Sequence, residues 1–299
     1  MSENTTVKPF LTVFTPAYNR AHTINRTYES LLRQSNKNFI WLVIDDGSSD
    51  NTAELIREWQ TRDNGFEIKY IYKENGGMHT AHNTAYQHIT TELNTCIDSD
   101  DYLADEAVQK IYDKWQQVKD KDYAGIIGND ADFDGEVIGD PLPLEWEETT
   151  LTAFNRRYKG DKKLVYRTDV ITKYPPLPVF EGEKFFALGY TYTLIDKDYK
   201  LAVLHETLCN VEYQADGSSR NMWKQYVRNP KGFAYLRKFH MENCEGIKSL
   251  TKETIHYISS SILSKNGKFI SESPKKALTL VLTPAGFVFS RLVKYKAKQ

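Results

Sequence analysis

The sequence predicts an α/β protein in which helices cover both faces of a parallel sheet, followed by a helical extension. Two observations carry this. Through roughly the first 130 residues, short β-rich apolar runs alternate with segments of helical periodicity. Beyond that point the rhythm gives way to hairpin, Pro-rich and basic helical patterns.

FLTVFTP (10–16) is a strand halted by Pro16, and HTINRTYESLLRQS sets Ile24, Tyr28, Leu31 and Leu32 on one helical face. FIWLVIDDGSSD (39–50) is a buried strand that stops in acid, Gly and Ser. Ser48, Ser49 and Asp50 suit the N-cap of the helix carrying Ala53, Leu55, Ile56 and Trp59. EIKYIY (67–72) is a third strand, TAHNTAYQHI a helix, and LNTCID (93–98) a fourth strand. Ala107, Ile111 and Trp115 mark the next helix, and YAGIIGN (123–129) is a fifth strand. Right-handed crossovers carry the strand C-termini to one edge, where open α/β sheets bind ligands. Thr15-Pro16-Ala17-Tyr18, Asp45-Asp46 and Asp98-x-Asp100-Asp101 all fall at such ends.

Past residue 130, Asp134-Gly135 signals a hairpin turn, within a further acidic run of Asp130, Asp132 and Asp134. YPPLPVFEGEKFF (174–186) is a Pro-rich loop, KLAVLHETLCNVEY (200–213) alternates like a pair of strands, and basic helices begin near 216. The expected division is therefore 1–215, in halves of about 10–130 and 131–215, and an extension over 216–299.

Lys plus Arg number 39 against 40 Asp plus Glu, a net charge of −1 that gives no global field for nucleic acid. Cys96, Cys209 and Cys244 are odd in number and widely spaced, which argues against a disulfide framework or zinc site and for a reducing cytosol. The N-terminus MSENTTVKPF lacks the layout of a secretion signal. The expectation is a cytoplasmic protein.

Three carboxylates within four positions repel one another unless something compensates them. A hard divalent cation such as Mg²⁺ or Mn²⁺ takes one or two carboxylates together with phosphate oxygens. In an extended D-x-D the alternate side chains point the same way. Solvated acids at a helix start are the alternative, because SDDYLADEAV also opens a helix.

LTVFTPAYNR, WLVIDDGSSDNTAELI, NGGMHTAHNTAY and TCIDSDDYL, in that order, resemble the landmarks of family 2 glycosyltransferases with the GT-A fold. The resemblance is strong over about 10–130 and weaker to about 215. It implies a Rossmann-like, mixed and mainly parallel sheet, and inverting transfer of a sugar from a nucleotide-diphosphate donor, a UDP-sugar first among them. It places Pro16, Ala17 and Tyr18 at the nucleotide, and Asp46, with Asp45 beside it, at the base. Gly76 and Gly77 pass close to the donor. Asp98, Ser99 and Asp100 form the D-x-D, with Asp100 and Asp101 as metal ligands. His82-Asn83 stands where the family often has Arg-Asn, leaving His79 or His82 as a partial substitute at the phosphates. The general base falls to Glu183, with Glu181 in reserve, although Lys184 replaces the usual second acid. His205 could complete a metal shell and Arg220 could close over the diphosphate, but an ordinary packed histidine and a surface arginine are the commoner readings of the two.

The segment 274–298 holds two apolar runs broken at Pro284 and flanked by Lys275, Lys276, Arg291, Lys294, Lys296 and Lys298. A basic, apolar helix of this kind can lie on an anionic membrane surface. With the family, this suggests a glycan or lipid-linked acceptor in bacterial cell-surface polysaccharide assembly, with peripheral contact at the inner face of the membrane. Two rivals stand: a nucleotidyltransferase, which lacks its Gly-rich phosphate loop here, and a non-catalytic carbohydrate-binding protein on the same fold.

Overall fold

Every residue of β1 (Leu11–Ala17) and β2 (Phe39–Asp45) is buried, as strands covered on both faces must be. Alternate side chains serve opposite layers. Leu11, Val13, Trp41 and Val43 pack with α1 (Ile24–Arg33) and α2 (Thr52–Gln60), whereas Phe14, Leu42 and Ile44 pack with α3 (Met78–His88). Tyr28 stacks on Trp59 at 4.2 Å, its hydroxyl donates to Asn64 Oδ1, and the Trp41 indole donates to Thr15 Oγ1.

The computed structural model describes residues 8–212 and 221–299. They fall into two compact units, 8–177 with 188–212, and 178–187 with 221–299. Arg220 and the expected 215/216 boundary lie outside the described residues.

In the first unit, β3 (Glu67–Tyr72), β2, β1 and β4 (Leu93–Cys96) are parallel neighbours. The remaining elements are β5 (Tyr102–Leu103), α4 (Ala107–Val118), β6 (Tyr123–Ala131), β7 (Glu148–Thr149), α5 (Leu151–Arg157), β8 (Lys162–Arg167), α6 (Thr168–Ile171), α7 (Gly189–Ile195) and β9 (Lys200–Asn210). The sheet order is β3-β2-β1-β4-β8-β6-β9-β5, with β7 on β9. The mixed sheet implied by the family resemblance is observed, and the alternation of strands and helices marks its parallel part. β8 runs back between β4 and β6, antiparallel to both. Because β6 is thereby parallel to β4, the C-termini of β1, β2, β4 and β6 still share one edge.

Two readings change. Residues 200–210 form one strand with register shifts, not a pair. β1 also continues through Pro16: its pairing with β4 ends at Phe14, so Pro16 faces no β4 ladder that its missing N–H could break.

The second unit contains α8 (Met222–Arg228), α9 (Pro230–Asn243), α10 (Ile247–Leu263) and α11 (Lys276–Lys296). Ala234, Met241, Tyr257 and Ile258 form its centre, and Arg237 pairs with Glu253 at 2.7 Å. α11 runs unbroken through Pro284, against the two-run reading. Pro284 and Leu280 lie on the exposed side, where solvent can satisfy the carbonyl that the proline leaves free.

Gly125 allows β6 to touch β8, for a Cβ there would lie 1.9 Å from the Val165 carbonyl oxygen. Gly125→Ala is expected to destabilise the protein by more than about 3 kcal/mol. Gly135→Ala, with φ +87 and nothing within 4 Å, costs only about 1–2 kcal/mol of backbone strain. Urea denaturation of the two variants measures the difference.

Candidate active site

The edge shared by the strand C-termini is assembled by side chains that end the strands. After β1, the Asn19 N–H donates to Ser48 Oγ, and Asn19 Oδ1 accepts from the Ser49 N–H. Asp50 accepts from the N–H of Ala21 and from both the N–H and the hydroxyl of Thr52. The first and second strand ends are thus stitched together. The N-cap of α2 is Asn51 and not one of Ser48, Ser49 and Asp50, although Asp50 takes the N–H of Thr52, the first helical residue. Pro16 and Ala17 are buried here, while Tyr18 is 49% exposed and presents its ring at the edge.

Asp45 and Asp46 are adjacent and do different work. Asp45 is fully buried, accepting from the Ser48 N–H at 2.7 Å and the Tyr70 hydroxyl at 2.6 Å. Asp46 gathers the glycine loop: its carboxylate accepts from the N–H of Gly76 at 2.9 Å and of Gly77 at 2.7 Å, and from Lys73 Nζ at 2.6 Å. Asn75 Nδ2 adds a bond to the Asp46 carbonyl at 2.8 Å. Glycine is required where these segments cross, because Gly47 has φ +83 and a Cβ on it would lie 2.8 Å from the Asn75 N. Gly77, at φ +94, then turns the chain into α3.

His79 and His82 lie on α3 beneath this loop, both buried. Burial, with the nearby His79, drives the His82 pKa down to about 3. Its Nε2 lies 3.6 Å from Cys96 Sγ, and its ring packs edge-on against Phe14. His82 is therefore a neutral core residue and no replacement for a guanidinium. His79 is likewise pushed down by burial, with Asp46 opposing the shift.

The acidic segment is a turn, not the extended D-x-D expected from the sequence. The Asp101 N–H donates to the Asp98 carbonyl at 3.1 Å, which closes four residues. The turn brings one carboxylate oxygen from each of Asp98, Asp100 and Asp101 within 4.8 Å of one another, while Ser99 between them is buried. Burial, then the charge of Asp98, pushes the Asp101 carboxyl up to about 8. Asp101 also accepts from the Glu212 N–H, and its carbonyl accepts from Thr27 Oγ1 at 2.7 Å. Three all-oxygen donors that repel one another suit a hard divalent cation. Asp98, Asp100 and Asp101 are the residues that would hold it.

Behind the turn lies Lys163 of β8, its Nζ 3.2 Å from the Cys96 carbonyl and 3.9 Å from Asp130 Oδ1. Burial disfavours its charge, but Asp130 and Asp101 outweigh that and hold the ammonium well above its usual pKa. Asp130 is itself raised by burial, and its Oδ1 has no hydrogen-bond partner. Farther along, Asp132 Oδ1 accepts from the N–H of Asp134 and Glu136, which makes the turn foreseen at Asp134-Gly135. Lys73, Asn75 and Lys163 escaped the sequence reading. A lysine at the end of a strand, just before Asn-Gly-Gly, was the available signal for the first two.

Glu183 belongs to the second unit. Its two oxygens accept from the N–H of Lys231 and of Gly232, each at 2.7 Å, at the start of α9. Glu181 is exposed on the same segment. His205 Nε2 pairs with the Pro143 carbonyl at 2.9 Å, and among the described residues it does not join the acidic group.

The fold matches solved GT-A glycosyltransferases along nearly its whole length. S. aureus TarS 1-349 in complex with UDP-GlcNAc aligns with a TM-score of 0.57 at 16% identity, over 98% of this chain and 92% of that one. A mannosyltransferase from Pyrobaculum calidifontis, solved with GDP-Man and Mn²⁺, gives 0.56 at 15% identity, over 98% and 84%. The family model for glycosyl transferase family 2 matches residues 12–171, and the chain belongs to that family. Glycosyltransferase GlyG of Streptococcus pneumoniae is 31% identical over 161 residues, 51% of each chain. GlyA of the same organism is 33% identical over 104 residues, 35% of this chain and 15% of that protein. The match thus spans about half the length of one of these relatives and 15% of the other.

Proposed function

We propose that the protein is an inverting glycosyltransferase that moves a sugar from a nucleotide-diphosphate donor, a UDP-sugar first among them, to a hydroxyl of a glycan or lipid-linked acceptor in bacterial cell-surface polysaccharide synthesis. The observation that carries this reading is the turn that gathers Asp98, Asp100 and Asp101 at the shared strand edge. Mn²⁺ or Mg²⁺ held there supplies positive charge to the pyrophosphate that leaves with the nucleotide. Tyr18, Pro16 and Ala17 at the end of β1, with Asp46 and the Gly76-Gly77 loop, form the nucleotide side. Asp46 is committed to that loop in this structure, so its part in base recognition includes holding Gly77 in place. Support for the donor class comes from TarS and the Pyrobaculum calidifontis mannosyltransferase, whose structures hold UDP-GlcNAc and GDP-Man. A lipid-linked acceptor would carry the enzyme to the cytoplasmic face of a membrane.

Glu183 is the proposed base that takes the proton from the acceptor hydroxyl. It has a second duty at the N-terminus of α9, and that makes it separable by experiment. Glu183→Gln is expected to lower kcat by about 10²–10⁴-fold, and to cost about 1 kcal/mol at the helix end. Loss of stability with kcat intact would leave it a cap and move the base to another acid, Glu181 first.

A thermal-shift series with UDP- and GDP-sugars, with and without Mn²⁺, tests the donor reading. Saturating donor at about 100 times its dissociation constant adds about 2.7 kcal/mol. Asp100→Asn should abolish the Mn²⁺-dependent part and transfer while the apo melting temperature holds. Release of pyrophosphate instead of nucleoside diphosphate would identify a nucleotidyltransferase.

A further inference from the structure

α11 is packed the opposite way round from an ordinary surface helix, whose apolar stripe faces inward. The side chains it buries are mainly small or polar: Thr279, Gly286 and Ser290, with Val293. Gly286 lets it approach α10 closely, since a Cβ there would lie 2.4 Å from Ile258 Cγ2. Leu282 and Phe289 pack inward, but most of the large apolar side chains are exposed: Leu280 61%, Val281 74%, Phe287 47%, Val288 68%, Leu292 43% and Tyr295 61%. A contiguous apolar surface of this kind marks an interaction site. Its charge identifies the occupant. Residues 273–299 contain no Asp or Glu, while Lys275 and Lys276 flank one end and Arg291, Lys294, Lys296 and Lys298 the other. Two copies placed face to face would oppose cations to cations, whereas anionic headgroups complement them.

We propose that the outer face of α11 seats on an anionic bilayer, with the helix lying in the interface while its inner face stays on α10. This deepens the lipid-linked acceptor reading, yet it depends on no feature of the donor site. The test is sedimentation of the full chain with phosphatidylcholine vesicles, with and without phosphatidylglycerol. Binding only to the anionic vesicles, weakened by salt, is expected. The triple variant Leu280→Glu, Val281→Glu, Val288→Glu should bind about tenfold more weakly or worse, with donor-induced thermal shifts unchanged. Absence of vesicle binding would overturn the proposal, as would a wild-type dimer that the same substitutions dissolve. Loss of donor shifts with vesicle binding intact would strike the glycosyltransferase reading alone.

The buried ammonium behind the acidic turn carries a second inference, which rests on the cation reading of that turn. Lys163 bonds the carbonyl two residues before Asp98 and faces Asp130, whose Oδ1 has no hydrogen-bond partner. We infer that Lys163 is a positioning residue: it holds the turn together in the absence of a divalent ion, and its charge opposes that ion when it binds. Calorimetric Mn²⁺ titration and melting in EDTA or Mn²⁺ test this. Lys163→Met should bind Mn²⁺ about three- to tenfold more tightly, and its loss of melting temperature should be larger in EDTA than in Mn²⁺. Lys163→Arg should restore wild-type affinity. Should the Met variant not fold, Asp130→Asn, which removes the ion-pair partner of the ammonium on β6, should weaken Mn²⁺ binding. Unchanged or weaker binding by Lys163→Met, or unchanged binding by Asp130→Asn, overturns the inference. A wild-type protein that binds no Mn²⁺ overturns the cation reading and this inference with it.

Discussion

Like charges held close together cost free energy, and the first unit is arranged around meeting that cost at one turn. The Asp98–Asp101 turn packs three carboxylates within reach of a single ion. Thr27 and the Glu212 backbone fix the turn from two sides, and Lys163 offsets part of its charge from behind. Asp101 is nevertheless raised to about 8, by burial first and by the charge of Asp98 second.

The remainder of the edge follows a different rule, in which polar groups saturate one another. Asp46, Asp50 and Asn19 each accept from backbone N–H groups of a neighbouring loop. The result is a preorganised rim in which loop positions are set by carboxylates at strand ends. Glycines at 47 and 77 supply the backbone conformations that make these crossings fit.

Much of the first unit was legible because buried strands and amphipathic helices write their burial into residue spacing. β1, β2, β3, β4 and their helices were found in order, as was the acidic segment at the end of β4. Strand direction was not legible, since periodicity is the same whichever way a strand runs; β8, with Lys162 and Lys163 at its start, was not recognised as a strand. α11 defeated the reading at Pro284, where exposure makes a proline tolerable in a helix. The grouping of residues 178–187 with the C-terminal helices depends on contacts such as Glu183 with Gly232, which no local pattern reveals. The hold of Asp46 on the glycine loop was hidden for the same reason: its loop partners lie some 30 positions away.

The aromatic core has an optical consequence. Trp41, Trp59 and Trp115 are all nearly sealed in the first unit, and two of them stack with Tyr28, whereas Trp223 in the second unit is 38% exposed. Trp146, also in the first unit, is half-buried. Blue-shifted, quencher-resistant emission therefore reports the sealed face of the sheet, while the red-shifted, quenchable part is shared by Trp146 and Trp223, and replacing Trp146 by Phe leaves that part to the helices.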